Sequence, residues 1–174
     1  MALESGYIQV YTGDGKGKTT AALGLCLRAA GAGLKVFVAQ FIKSGDTSEI
    51  KALARFADQI TIAQYGLGRF IKGRPSAQDV RAALRGLRAV RSALTSGEYQ
   101  VVIMEEVNVA AGCGLLRVDD ILAVMNEKPD RVELVITGRG ADARVIERAD
   151  LVTEMRAVKH YFQAGVKART GIEK

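Results

Sequence analysis

The chain has 174 residues, 48% hydrophobic and 25% charged, which excludes a disordered segment and, at roughly 100–200 residues per domain, leaves room for one domain over residues 1–174. Two cysteines exclude a disulfide framework and a Cys-only zinc site, one histidine excludes a His-rich metal centre, and no apolar run reaches the ~18–20 residues of a membrane span. The net charge is +6, from 25 basic and 19 acidic residues, which suits an anionic ligand.

In chain order, a strand over 7–12 leads to a helix over 18–31, a strand over 35–41 and a helix over 47–57. A strand over 60–65, a helix over 77–96 and a strand over 100–105 follow. A helix over 118–126, a strand over 132–137, a helix over 142–148 and a strand over 151–154 complete the pattern. Alternating strands and helices imply parallel pairing through right-handed crossovers. Near-continuous apolar runs such as 101–104 fit a sheet covered on both faces. The expected fold is α/β, a doubly wound, mostly parallel sheet, and the loop G-D-G-K-G-K-T-T at 13–20 between its first strand and first helix puts it in the phosphate-loop NTPase (RecA-like) class. In such sheets ligands sit beyond the carboxyl ends of the strands, so functional residues should follow strands directly. Basic residues concentrate in 69–91 and 159–174, without the interleaved aromatics of a single-strand binding platform, so no nucleic-acid partner is expected. Residues 1–6 do not read as a signal peptide, and a cytoplasmic, membrane-free protein is expected.

The first strand runs into G-D-G-K-G-K-T-T at 13–20, and an alanine-rich helix follows at once. Gly13, Gly15 and Gly17 allow successive amides to converge on phosphate oxygens, with Asp14 and Thr20 in the same loop. The helix N-terminus adds partial positive charge. Lys18 is placed to reach the outer phosphates, Thr19 to set a hydroxyl on a divalent metal, and Lys16 adds a second ammonium. Gly17, Lys18 and Thr19 match the end of the phosphate-loop pattern, whereas Thr12 stands where its first glycine is expected. Cys26 reads as an inert packing residue. Arg28, about two and a half turns past Thr19, either leans toward the nucleotide or reaches solvent.

Glu105 and Glu106 close an apolar strand, where phosphate-loop proteins carry a metal-binding acid. Neighbouring strand residues face opposite sides, so the two share one task only if the strand ends there. Arg139, flanked by glycines after the fifth strand, can point at phosphates. Gln40, Lys43 and Asp46 follow the second strand, as site residues or as a solvated loop. The stretch after Tyr65 carries Arg69, Lys72, Arg74 and Phe70, in the manner of a binding loop. Phe70 either touches a flat ligand or anchors the loop. His160, the lone histidine, is more readily structural than catalytic. With no evident nucleophile set, three chemistries stay open. These are a kinase or hydrolase using Glu105 or Glu106, a nucleotide switch or carrier, and a reaction whose nucleophile arrives with the substrate.

Several segments together resemble the ATP:corrinoid adenosyltransferases of the cobalamin-salvage type. They are V-Y-T-G-D-G-K-G-K-T-T-A-A at 10–22, G-L-K-V-F-V-A-Q-F-I-K at 33–43, E-E-V-N-V-A at 105–110, T-G-R-G-A at 137–141 and A-D-L-V-T-E-M-R-A-V-K-H at 149–160. The resemblance implies attack by a Co(I) corrinoid, cob(I)alamin or cob(I)yrinic acid a,c-diamide, on the 5′ carbon of ATP, with triphosphate leaving. It implies that residues 13–20 cradle the triphosphate with Lys16, Lys18 and Arg139. It also implies that Thr19 with Glu106, and Glu105 beside it, hold Mg²⁺ or Mn²⁺, and that Arg28 contacts the nucleotide. A homodimer and a separate electron donor for the corrinoid are further implied. The alternatives are a small phosphate-loop ATPase or kinase and a non-catalytic corrinoid or nucleotide carrier.

Three departures from the family pattern stand out. The family often has Asp-Glu where this chain has Glu105-Glu106. Many members carry a Phe and a Trp in the loop after the third strand, whereas this chain has no Trp and offers Phe70. Only six residues precede the first strand, so the longer N-terminal arm is expected to be absent and the lid over the corrinoid built otherwise.

Overall fold

The apolar runs pair into one six-stranded sheet with the order β3-β2-β4-β5-β1-β6. The structure, a computed structural model, describes residues 2–69, 71 and 73–173. The strands are β1 (Ile8–Thr12), β2 (Val36–Phe41), β3 (Ile60–Tyr65), β4 (Val101–Glu105), β5 (Glu133–Thr137) and β6 (Leu151–Glu154). Every pairing is parallel, so the expected mostly parallel sheet is parallel throughout. Each return must therefore cross a face of the sheet, and helices make those crossings.

The helices are α1 (Lys18–Gly31), α2 (Ser48–Leu53), α3 (Ala77–Thr95), α4 (Val107–Gly112), α5 (Val118–Glu127) and α6 (Ala143–Arg148). Alternate residues of one strand feed opposite faces. Phe37, Ala39 and Phe41 of β2 join a core with Leu87 and Leu94 of α3 and Ile121 and Met125 of α5. Val36 and Val38 join a second core with Ala22, Cys26 and Ala30 of α1. Cys26 is fully buried and its thiol is pushed up to about 12 by burial, as its reading as a packing residue expects.

The expected helix over 47–57 is shorter, with α2 passing into a 3-10 turn at Ala54–Phe56. Two elements escaped the sequence reading, α4 and a 3-10 turn at Tyr161–Ala164. Among the described residues no helix is long and apolar enough to cross a membrane.

Helix α3 starts with a reciprocal cap. Ser76 Oγ accepts from Asp79 N (3.3 Å), and the Asp79 carboxylate accepts from Ser76 N (3.0 Å). Arg69 forks onto the same carboxylate at 2.8 and 3.3 Å, tying the loop after β3 to the helix. Arg69 and Ser76 hold the Asp79 carboxyl down at about 2. Ser76→Ala is expected to cost about 1 kcal/mol of stability, read as a lower urea midpoint at unchanged slope.

Candidate active site

The site forms where β1 ends. Gly13 (φ 91°) and Gly17 (φ 125°) take backbone conformations that favour glycine, and together they wrap the loop over the start of α1. Gly15 is glycine for a different reason. A Cβ there would lie 2.7 Å from the Arg156 carbonyl carbon and the Met155 carbonyl oxygen. Thr12, in place of the expected first glycine, stays in β1 and its Oγ1 accepts from Ala141 N (3.2 Å). This bond stitches the loop after β5 to the end of β1.

The first turn of α1 has no side-chain cap and no acidic residue. The amides there are left for a ligand, at the positive end of a 14-residue helix. Lys18 is buried, and its Nζ donates to the loop's own carbonyls, Gly13 O (2.6 Å) and Gly15 O (2.7 Å). Burial, then the nearby Arg139 charge, lowers the Lys18 pKa. A ligand with negative charge would relieve both effects.

Across the loop, Thr19 Oγ1 donates to Glu105 Oε1 at 2.5 Å. Lys43 Nζ donates to the same oxygen at 2.8 Å. Glu105 is fully buried, and its Oε2 accepts no hydrogen bond. Strand β4 ends at Glu105, and Glu106 turns into the left-handed region (φ 62°). The buried Thr137 hydroxyl holds that turn by accepting from Glu106 N at 3.0 Å. Both carboxylates thus stand at one site, the case in which the strand ends between them. Burial, then the Glu105 charge, raises the Glu106 pKa. No cluster of three or more His, Cys, Asp or Glu fit to hold a metal occurs among the described residues. The orphaned Glu105 oxygen beside a threonine hydroxyl fits a hard cation whose remaining ligands are phosphates and water.

A cavity of about 660 Å³ opens here, within the range of small-molecule sites. Gly15, Lys16, Gly17, Lys18, Thr19, Thr20, Glu106 and Arg139 line it, as the sequence reading grouped them. Gly13 and Asp14 do not line it, although the Gly13 carbonyl holds Lys18 and the Asp14 charge acts on it. Arg28 is exposed on α1 and does not line the cavity; its charge bears on Tyr11 instead. Buried Gln40 accepts from Gln64, and Asp46 is exposed. Phe70 and Lys72 lie outside the described residues.

The sequence reading missed the C-terminal wall. Strand β6 pairs with β1 and carries the chain back over the phosphate loop, where Gly15 N donates to Met155 O at 2.6 Å. His160, Ile172 and Glu173 then line the cavity, and Lys16 Nζ donates to Ile172 O (2.8 Å) and Glu173 Oε1 (3.2 Å). The signals in the sequence were the segment 149–160, which carries part of the family resemblance, and the basic, glycine-spaced stretch that follows it. Leu23, Gly24 and Leu27 of α1 form an apolar side of the same cavity.

A family model described as ATP:corrinoid adenosyltransferase BtuR/CobO/CobP matches residues 4–173. The chain is 37% identical over 171 residues to a corrinoid adenosyltransferase of Pseudomonas aeruginosa, covering 98% of this chain and 84% of that one. It is 36% identical over 171 residues to the corrinoid adenosyltransferase of Escherichia coli K12, covering 98% and 86%. It is 34% identical over 171 residues to corrinoid adenosyltransferase CobA of Salmonella typhimurium, again covering 98% and 86%.

Proposed function

The chain belongs to the ATP:corrinoid adenosyltransferase family, and from that premise we propose how its own residues transfer the adenosyl group of ATP to a reduced corrinoid. The observation that carries the reading is one cavity in which an uncapped helix start, buried Lys18, Lys16 and Arg139 stand with Thr19 and Glu106, Thr19 being bonded to the buried Glu105 that does not itself line the cavity. That set suits a triphosphate, and a triphosphate is the leaving group. Residues 13–20 cradle it. Lys18 leaves the loop carbonyls for phosphate oxygens, and Lys16 leaves the Ile172 carbonyl and the Glu173 side-chain carboxylate. Arg139 reaches the phosphates from the loop after β5.

Cobalt(I) supplies the electron pair for the new Co–C bond, and the bond from the 5′ carbon to the triphosphate oxygen breaks. No protein base is required. The protein contributes alignment of cobalt, carbon and leaving oxygen, and charge that meets the departing triphosphate. Thr19, Glu105 and Glu106 are the residues that would hold Mg²⁺ or Mn²⁺, which would neutralise phosphate charge. Arg28, if it contacts nucleotide, does so from outside the cavity wall.

The parallel order β3-β2-β4-β5-β1-β6, with the glycine loop after β1, supports a phosphate-loop, RecA-like fold for a single domain over 1–174. By family likeness the reading extends to a cytoplasmic homodimer served by a separate electron donor.

The test is an anaerobic spectrum of cob(I)alamin with ATP, Mg²⁺ and the protein. Loss of the Co(I) absorption, with a light-sensitive alkylcobalamin and one triphosphate per cobalt, is expected. If cob(I)alamin is inert, cob(I)yrinic acid a,c-diamide is the second substrate. Release of phosphate or diphosphate with both corrinoids untouched would assign an ATPase or kinase. Binding of corrinoid and ATP without turnover would assign a carrier.

A further inference from the structure

Lys43 has no task in the reading above, yet the fold places it with care. It follows Ile42, a β-branched residue at φ 68°, a conformation such residues rarely adopt. A tight turn accompanies it, with Lys43 N donating to Phe41 O at 2.7 Å. Gly66 packs so closely behind that a Cβ there would lie 1.9 Å from Ile42 O. A strained residue, backed by a neighbour with no room for a side chain, aims Lys43 back over the sheet.

The target is Glu105. Lys43 Nζ lies 2.8 Å from Glu105 Oε1 and 3.4 Å from Thr19 Oγ1, so the ammonium sits on both groups assigned above to the metal. Glu105 is fully buried, and its charge stands beside that of Glu106. Two adjacent carboxylates with little water need a cation. Among the described residues, Lys43 is the cation that reaches Glu105 directly. Its side chain is 31% exposed and lines the cavity, so the long stem can withdraw without crossing packed atoms.

We propose that Lys43 is a resident cation, holding the metal position on Glu105 and Thr19 until ATP brings the divalent ion. An ammonium and a divalent ion on the one Glu105 carboxylate repel each other, so metal alone binds weakly. Phosphate oxygens change the balance in two ways. They complete the shell of the incoming ion and give the displaced ammonium a new anionic partner in the same cavity. Metal and ATP then bind as one unit. The inference rests on the assignment of Thr19 and Glu105 to the metal.

The experiment reads protein-bound Mn²⁺ by equilibrium dialysis of the full chain, with and without ATP and with no corrinoid, as the metal held in excess of the outer compartment. Without ATP, Lys43→Gln is expected to take up Mn²⁺ about tenfold more tightly than the unchanged protein, and Lys43→Arg to stay within about threefold of it. Lys43→Met serves equally should the glutamine variant not fold. With ATP, all of them form a Mn²⁺–ATP complex. The gain should vanish in Lys43→Gln, Glu105→Gln. Equal Mn²⁺ uptake by Lys43→Gln and the unchanged protein without ATP, with the ATP complex intact in both, would overturn the inference and leave the metal assignment standing. Failure of the unchanged protein to hold any Mn²⁺ with ATP would overturn the metal assignment, and the inference with it.

Discussion

Replacing Lys18 by alanine is expected to lower turnover by at least about 10²–10³-fold, the scale on which a lost electrostatic donor at a charge-developing atom is felt. The reason lies in where the ammonium rests. It is buried against two carbonyls of the loop, which are weak partners for a full charge. Burial and Arg139 already disfavour the charged form, so the ammonium is poised for a stronger anion. A triphosphate supplies one, and its oxygens gain charge as the bond to carbon breaks. Stability should barely suffer. Alanine suits the first turn of α1, and Gly15, one of the two residues whose carbonyls are freed, lines the open cavity. A melting temperature within about 2–4 °C of the unchanged protein is expected, alongside the loss of Co(I) consumption. A variant that melts normally and keeps full turnover would remove the phosphate loop from the mechanism.

The strands were legible because a parallel sheet covered on both faces writes itself as apolar runs, and helix α1 because glycine and lysine mark its start. The phosphate loop was legible for the same local reason. Helix α4 was not. Its six residues, V-N-V-A-A-G, are too few to show a period, and its start depends on Glu106 in a left-handed turn held by Thr137 from another strand. The C-terminal wall was illegible on similar grounds. His160 and Glu173 reach the cavity only because β6 pairs with β1 and returns the chain to the loop. No local pattern encodes that return. Lys43 sat in plain view at the carboxyl end of β2, where ligand contacts are expected. What separated it from a solvated loop lysine was the Ile42 turn, and that turn needs Gly66 behind it.

Glu105→Gln carries the second large effect, and it separates a functional carboxylate from a structural one. Glutamine keeps the shape and removes the charge. If Glu105 holds the metal that accompanies ATP, turnover should fall by about 10²–10³-fold and the Mg²⁺ requirement should rise. The stability argument runs the other way. Glu105 is fully buried and bears the cost of burying a charge, and one of its oxygens has no partner. Its counter-ion Lys43 is long and partly solvated, so losing the carboxylate does not strand a buried cation. The glutamine amide donor meets a new cost where Oε2 had no partner, which offsets part of the relief. The net change should stay within about 1 kcal/mol, a melting shift of about 2–4 °C. A group kept at a neutral or negative net contribution to stability is one retained for binding. A large fall in melting temperature, with activity lost only in step with unfolding, would instead make the Lys43–Glu105 pair a strut of the fold and move the metal to Glu106.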